Sequence, residues 1–162
     1  MRHARIAVAV GIILAVLTPA TASADIPPAS AAMIEKVNQM RRSSGLPTLE
    51  TSQTLVGSAT GYARYMLKHD YFGHLASLPV GGNFLLRGET LAWHTGWRPR
   101  VGFTFRQWMA SPPHRAALLN PAFRYIGASK ARGRFGRRAA TTWVAHLGGR
   151  PATTPVTLPA GY

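Results

Sequence analysis

Cysteine is absent from the 162 residues. Disulfides, thiolate metal sites and a cysteine nucleophile are therefore excluded. Acidic residues are scarce: Asp25, Glu35, Glu50, Asp70 and Glu89 are all there are, against 19 lysines and arginines, for a formal charge of +14. A calcium loop built from several carboxylates has no supply of ligands. The longest apolar run, Ile6 to Leu17, has 12 residues, short of the ~20 that cross a bilayer as a helix. No G-x-S-x-G nucleophile motif occurs, and no zinc-finger, RRM or helix-turn-helix signature supports dedicated nucleic-acid recognition.

What is present is an ordinary globular share of hydrophobic residues, 46%, in a length that suits about one domain. The N-terminus reads as a secretory signal. Arg2 and Arg5 precede the apolar run, Pro19 follows it, and Ala22-Ser23-Ala24 offers a small-residue cleavage site. Cleavage there leaves Asp25 to Tyr162 with a charge of +12. That length buries roughly two thirds of its unfolded surface, enough for a core without staples. The expected division is a signal peptide at 1–24, a folded domain at 25–150 and a flexible proline-rich tail at 151–162, where Pro151, Pro155 and Pro159 recur.

Within the domain, Met33, Ile34, Val37 and Met40 recur at helical spacing. Ser30 is the expected cap of that helix and Gly45 with Pro47 its end. A second helix is predicted after Thr51 or Ser52, with Leu55, Val56, Ala59, Tyr62, Ala63 and Met66 on its apolar face. Leu75 to Arg87 reads as loop, and Gly88 to Trp93 as a short strand or turn. Arg98 to Ala110 is helical, and His114 to Leu119 is a short helix closed by Asn120-Pro121. Phe123 to Ser129 and Thr141 to Leu147 are strand-like, with the basic segment Lys130 to Arg138 as the loop of a hairpin. Helices first and strands later indicate an α+β layered domain. Tyr71, Phe72, Trp93, Trp97 and Trp108 suit a groove or a core, and core is the default for such residues.

Glu89 is the last acid, followed by 73 residues without another. A carboxylate between imidazoles fixes a tautomer and suits a metal or proton-transfer role. On spacing alone, a hydrogen-bonded turn acid and two unrelated histidines is the favoured reading of Glu89, His74 and His114. From Thr90 onward there are eleven basic residues and no acids. Five of them, Lys130, Arg132, Arg134, Arg137 and Arg138, form a candidate polyanion-binding cluster; a solubilising face is the equal alternative.

Four segments change the weighting. Val37-Asn38-Gln39-Met40-Arg41 with Gly45-Leu46-Pro47-Thr48-Leu49 is the first. Ala63-Arg64-Tyr65-Met66 with Tyr71-Phe72-Gly73-His74 is the second. The third is Gly88-Glu89-Thr90-Leu91-Ala92. The fourth runs from Trp108 through Ser111-Pro112-Pro113-His114-Arg115 to Asn120-Pro121, then Ile126-Gly127. In this order they resemble the CAP superfamily, also called the SCP-like extracellular domain, in its short bacterial form, from about Met33 to Gly148.

The resemblance implies a three-layer α-β-α sandwich with a central antiparallel sheet and a cleft carrying His74, Glu89 and His114. Some members bind zinc or another divalent cation through the paired histidines, and two imidazoles with a carboxylate suit zinc. A second glutamate of the family pattern would fall between Phe105 and Ala110, where this chain has no acid. The closing W-x-x-D-F-G block reads Trp143-Val144-Ala145-His146-Leu147-Gly148, so His146 replaces an acid; it is expected on a strand, with a place near the site as the lesser reading. His69 is expected to end the second helix, and His94 lies beyond the glutamate motif.

Three functions follow as expectations. The first is a secreted or cell-envelope module that binds a lipid, an envelope polymer or a divalent metal in the His/Glu cleft without turning it over. The second is a zinc-dependent hydrolase with His74 and His114 as ligands and Glu89 as base. The third is a structural protein that binds polyanions, with anionic envelope polymers or lipids as partners.

Overall fold

The computed structural model describes residues 26–75, 77–78 and 84–149. The expected signal segment and tail lie outside them. The first helix, α1 (Pro28–Ser43), starts two residues before the expected Ser30 cap. Pro28 opens it, since proline at the first turn gives up no hydrogen bond, and Ser30 is buried instead. Gly45, at φ +71°, turns the chain out of the helix, and Leu46 N–H returns to Arg41 O at 2.9 Å.

The N-x-x-R motif on α1 has a structural role. Asn38 Nδ2 donates to Leu49 O at 3.0 Å, and Leu49 N–H donates to Asn38 Oδ1 at 2.8 Å. Arg41 is fully buried. Its Nε donates to Pro47 O (2.8 Å), and its Nη1 donates to Leu118 O (2.8 Å) and Asn120 O (3.0 Å). One guanidinium thereby fastens α1 to the loop after it and to the end of α4 (Pro112–Leu118). Burial, and next the charge of Arg124, lower the Arg41 pKa.

Strand β1 (Glu50–Thr51) leads into α2 (Gln53–Lys68). Ser52 Oγ caps α2 by accepting from Leu55 N–H at 3.4 Å, a type of contact worth about 1 kcal/mol. Strand β2 (Leu86–Thr95) follows, then α3 (Val101–Ala110), α4, β3 (Tyr125–Phe135) and β4 (Arg138–Gly149). The sheet order is β1-β3-β4-β2. The three long strands are antiparallel, and the two-residue β1 adds to β3 in parallel. Gly88–Trp93 is thus part of a ten-residue strand.

The basic segment corrects the hairpin reading. Lys130 to Phe135 continue β3, Arg138 opens β4, and only Gly136 and Arg137 make the turn. Pairing runs in unbroken register to Phe135↔Arg138. Asp70 Oδ1, just beyond α2, accepts from Gly136 N–H at 2.6 Å and ties that turn down.

Alternation along the strands sorts two cores. Trp143, Ala145 and Leu147 of β4 face α1, α3 and α4 with Met33, Val37, Trp108, Leu118 and Ile126. Val144 faces α2 with Leu91, Ala131, Ala59, Tyr62 and Met66. Helices therefore cover both faces of the sheet in three layers. β4 lies in the middle and is buried from Ala140 to Gly149, which is why it reads as a nearly continuous apolar run.

Candidate functional site

β2 is an edge strand, and Glu89 sits on it facing the α2 side. Its register partner on β4 is His146. The Glu89 side chain is only 4% exposed, and His146 is fully buried. His146 Nε2 lies 2.9 Å from Glu89 Oε2. The other carboxylate oxygen, Oε1, lies 2.7 Å from Nδ1 of His74. A carboxylate has no proton to give, so each imidazole is the donor toward it. The neutral His74 tautomer that fits this bond carries its proton on Nδ1, and its Nε2 has no partner among the described residues.

His74 lies in the segment after α2 and is largely exposed, at 58%. Tyr62, on α2, holds that segment by donating its hydroxyl to Gly73 O. Burial, and next the charge of Glu89, push the Tyr62 phenol well above its ordinary range, so it stays a donor. Tyr71 donates to His74 O at 3.1 Å.

His114 comes from the opposite layer. It sits in the first turn of α4, which Pro112 and Pro113 open. Its ring centre is 6.4 Å from that of His74, at 56° between planes. Burial, and next the neighbouring His74, lower the His114 pKa, so its imidazole takes up a proton less readily than an ordinary histidine. Beside it opens a cavity of about 250 Å³, lined in part by Phe72, Trp93, Gln107, Trp108 and Ser111. His114 is on that lining; His74 and Glu89 are not.

The structure thus brings His74, Glu89 and His114 together. The expectation that the aromatics are core holds for Trp108, which is fully buried and donates its indole N–H to Leu91 O. It fails for Tyr71, Phe72 and Trp97, which are exposed, the last at 58%. His69 caps the C-terminus of α2 and packs on Tyr65. His94 is buried on the sheet face away from Glu89, in register with Thr141.

Three residues outside the expected set belong to the site's frame: His146, Ser58 and Tyr62. Ser58 Oγ is 2.7 Å from His146 Nδ1, and the Tyr62 ring stacks on His146 with centres 6.2 Å apart. The sequence signals for His146 are its replacement of an acid in the closing motif and its place inside an apolar strand, between Ala145 and Leu147.

The donor set meets the needs of zinc in part. Both Glu89 oxygens are engaged by imidazoles, which among the described residues leaves His74 Nε2 and His114 as ligands. Among the described residues no group of three or more His, Cys, Asp or Glu side chains is arranged to hold a metal. Two imidazoles on one tetrahedral zinc have ring centres about 5 Å apart, given Zn–N bonds of about 2.0–2.1 Å. The observed separation is 6.4 Å, so the two rings would have to close by about 1 Å to share one zinc. A zinc here would have His74 and His114 as its two protein ligands, with the other positions left to water or ligand and Glu89 as the carboxylate that orients His74.

Lys130, Arg132 and Arg134 alternate along β3 and share the sheet face that carries Ile126 and Ala128. Arg137 is in the turn, where its carbonyl accepts from Arg134 Nη2 at 2.6 Å, and Arg138 opens β4 on the other face. Trp97 Nε1 donates to Gly133 O, between Arg132 and Arg134, at 3.3 Å. Burial, and next Arg132, lower the Lys130 pKa.

The family model for the cysteine-rich secretory protein family (CAP) matches residues 34–147. Solved structures with the same fold include an outer surface protein from Borrelia burgdorferi. It is 22% identical, with a TM-score of 0.62, over 74% of this chain and 91% of that one. An extracellular protein containing a SCP domain from Bacillus anthracis matches at 21% identity and a TM-score of 0.59, over 79% of this chain. This chain spans under half, 45%, of that protein. Schistosoma mansoni venom allergen-like protein 4 matches at 12% identity and a TM-score of 0.59, over 77% and 91% of the two chains. Among curated proteins none matches in sequence. The family match covers most of the chain and all four motif segments, so this protein belongs to the cysteine-rich secretory protein family, although it contains no cysteine.

Proposed function

We propose that this is an extracellular binding module whose cleft holds a divalent cation between His74 and His114 and uses it to capture a ligand. One observation carries the reading. Glu89 accepts from His74 Nδ1, which among the described residues leaves Nε2 for a metal, and the His114 ring, whose pKa is lowered, is centred 6.4 Å from the His74 ring. Neutral imidazoles are what a metal requires. When bound, zinc would supply a Lewis-acid position for an oxygen donor of the ligand. The adjoining cavity beside His114, walled by Phe72, Trp93 and Trp108, suits a small apolar portion of that ligand.

Binding is favoured over hydrolysis by the state of Glu89. Both its oxygens are taken and its side chain is 4% exposed, so it is poorly placed to act as a base on water. An extracellular setting is supported by the charged, apolar and small-residue N-terminus. It is supported also by similar proteins described as an outer surface protein and an extracellular protein. Calorimetric titration of zinc into the purified protein tests the reading. Stoichiometric binding that is lost in both His74→Ala and His114→Ala is expected; binding that survives either change contradicts it.

A second reading rests on the β3 row. Alternate strand residues stand about 7 Å apart, so Lys130, Arg132 and Arg134 present a linear array of cations suited to a linear polyanion. Long-chain polyphosphate is a suitable probe. Arg132→Gln with Arg134→Gln is expected to weaken its binding and flatten the salt dependence. Unchanged affinity would remove the array from the interface.

A further inference from the structure

We infer that His146 is the positioning residue of the cleft, holding Glu89 so that His74 offers Nε2 to a metal. The inference rests on the metal-binding reading above and adds the device that prepares the ligand. Its basis is a continuous hydrogen-bonded chain across the sheet. Ser58 Oγ meets His146 Nδ1 at 2.7 Å; His146 Nε2 meets Glu89 Oε2 at 2.9 Å; Glu89 Oε1 meets His74 Nδ1 at 2.7 Å.

The chain runs from burial to solvent. His146 is fully buried, Glu89 is 4% exposed and His74 is 58% exposed. An exposed histidine alone is a poor fixed ligand, because its ring turns and its tautomer is unspecified. Here the buried end supplies the order. With Nε2–H donated to Glu89, the neutral tautomer of His146 has Nδ1 as acceptor toward the Ser58 hydroxyl; that hydroxyl has Leu55 O, at 3.1 Å, as its other acceptor. Glu89 then has one oxygen occupied in the interior, and its second can only serve His74.

Helix α2 holds the arrangement from behind. Ser58 and Tyr62 are four residues apart and share one helix face. Ser58 bonds the His146 ring, and Tyr62 stacks on it. The Tyr62 hydroxyl reaches Gly73 O next to His74. Helix α2 can lie this close to the sheet because position 127, the other register partner of His146, is glycine. A Cβ there would stand 2.1 Å from the backbone of Leu55 and Val56.

The test compares His146→Leu, His146→Gln and Ser58→Ala with the unmutated protein by two-bond ¹H–¹⁵N spectra of the metal-free histidines at pH 8 and by zinc titration. In the unmutated protein His74 is expected as the Nδ1–H tautomer and His146 as the Nε2–H tautomer. The reverse assignment for either ring overturns the inference, without any variant having to fold. His146→Leu is expected to shift His74 toward the Nε2–H tautomer and to weaken zinc binding about tenfold or more, the scale of loss typical for groups that orient metal ligands. His146→Gln retains an N–H toward Glu89 and is expected to keep most of both properties. Ser58→Ala is expected to give a smaller shift in the same direction. Unchanged tautomer and affinity in a folded His146→Leu protein overturns the inference. Failure of the unmutated protein to bind zinc contradicts the metal-binding reading, while the tautomers still decide the role of His146.

Discussion

Glu89 and His146 stand directly opposite one another on paired strands β2 and β4, with Oε2 and Nε2 2.9 Å apart in the interior. A carboxylate removed from water needs a partner for each oxygen. The sheet supplies one from its central strand, and the cleft supplies the other as His74. The site is thus anchored in the best-packed part of the fold and ends at the surface on a single imidazole.

The close approach of α2 depends on Gly127. Gly127→Ala puts a methyl group into backbone on both Leu55 and Val56, with no flexible side chain able to yield. A loss of about 3 kcal/mol or more is expected, at the upper end for overpacking, measured as the urea midpoint. A change within about 0.5 kcal/mol, the range of ordinary surface substitutions, would contradict the packing assigned to α2.

Arg41 carries a second structural load. Arg41→Ala leaves the carbonyls of Pro47, Leu118 and Asn120 without their charged donor in a buried setting. A loss of about 3 kcal/mol or more is expected, with thermal unfolding as the readout. Little change would mean that water replaces the guanidinium, and that α4 does not depend on α1 for its place.

Much of the fold is legible locally. Ser52 is the cap of α2, and its six buried residues are those the periodicity selects. The Gly45 exit from α1 also has a purely local cause, whereas α4 starts at Pro112, two residues before the expected His114. What local pattern could not supply is register. Glu89 and His146 meet because β2 and β4 pair with a particular offset, and a slip of one residue would turn His146 to the other face. The same limit applies to the arginine-rich segment of β3, whose charge and glycines read locally as loop while cross-strand pairing makes it strand. Motif order pointed to His74, Glu89 and His114 as one site, but Ser58 and Tyr62 looked like ordinary helix residues.

His114 makes stability depend on acid. The unfolded chain takes up this proton near the ordinary histidine value of 6.5. The folded protein does so only at lower pH, because burial and then His74 disfavour the imidazolium. Below about 6.5 the unfolded state therefore binds more protons. The His114 contribution is undiminished above that pH and declines as pH falls toward the folded value. Urea midpoints in neutral and in mildly acid metal-free buffer are expected to differ less for His114→Gln than for the unmutated protein. An equal or larger difference in the variant would contradict the direction of the shift.

The most direct measurement is anomalous diffraction at the zinc edge from crystals soaked in zinc. One principal peak is expected, at about 2.0–2.1 Å from His74 Nε2 and from a ring nitrogen of His114, with Glu89 still bridging His74 and His146. A cleft without a peak, or a peak bound by Glu89 with its bond to His146 broken, would contradict that expectation.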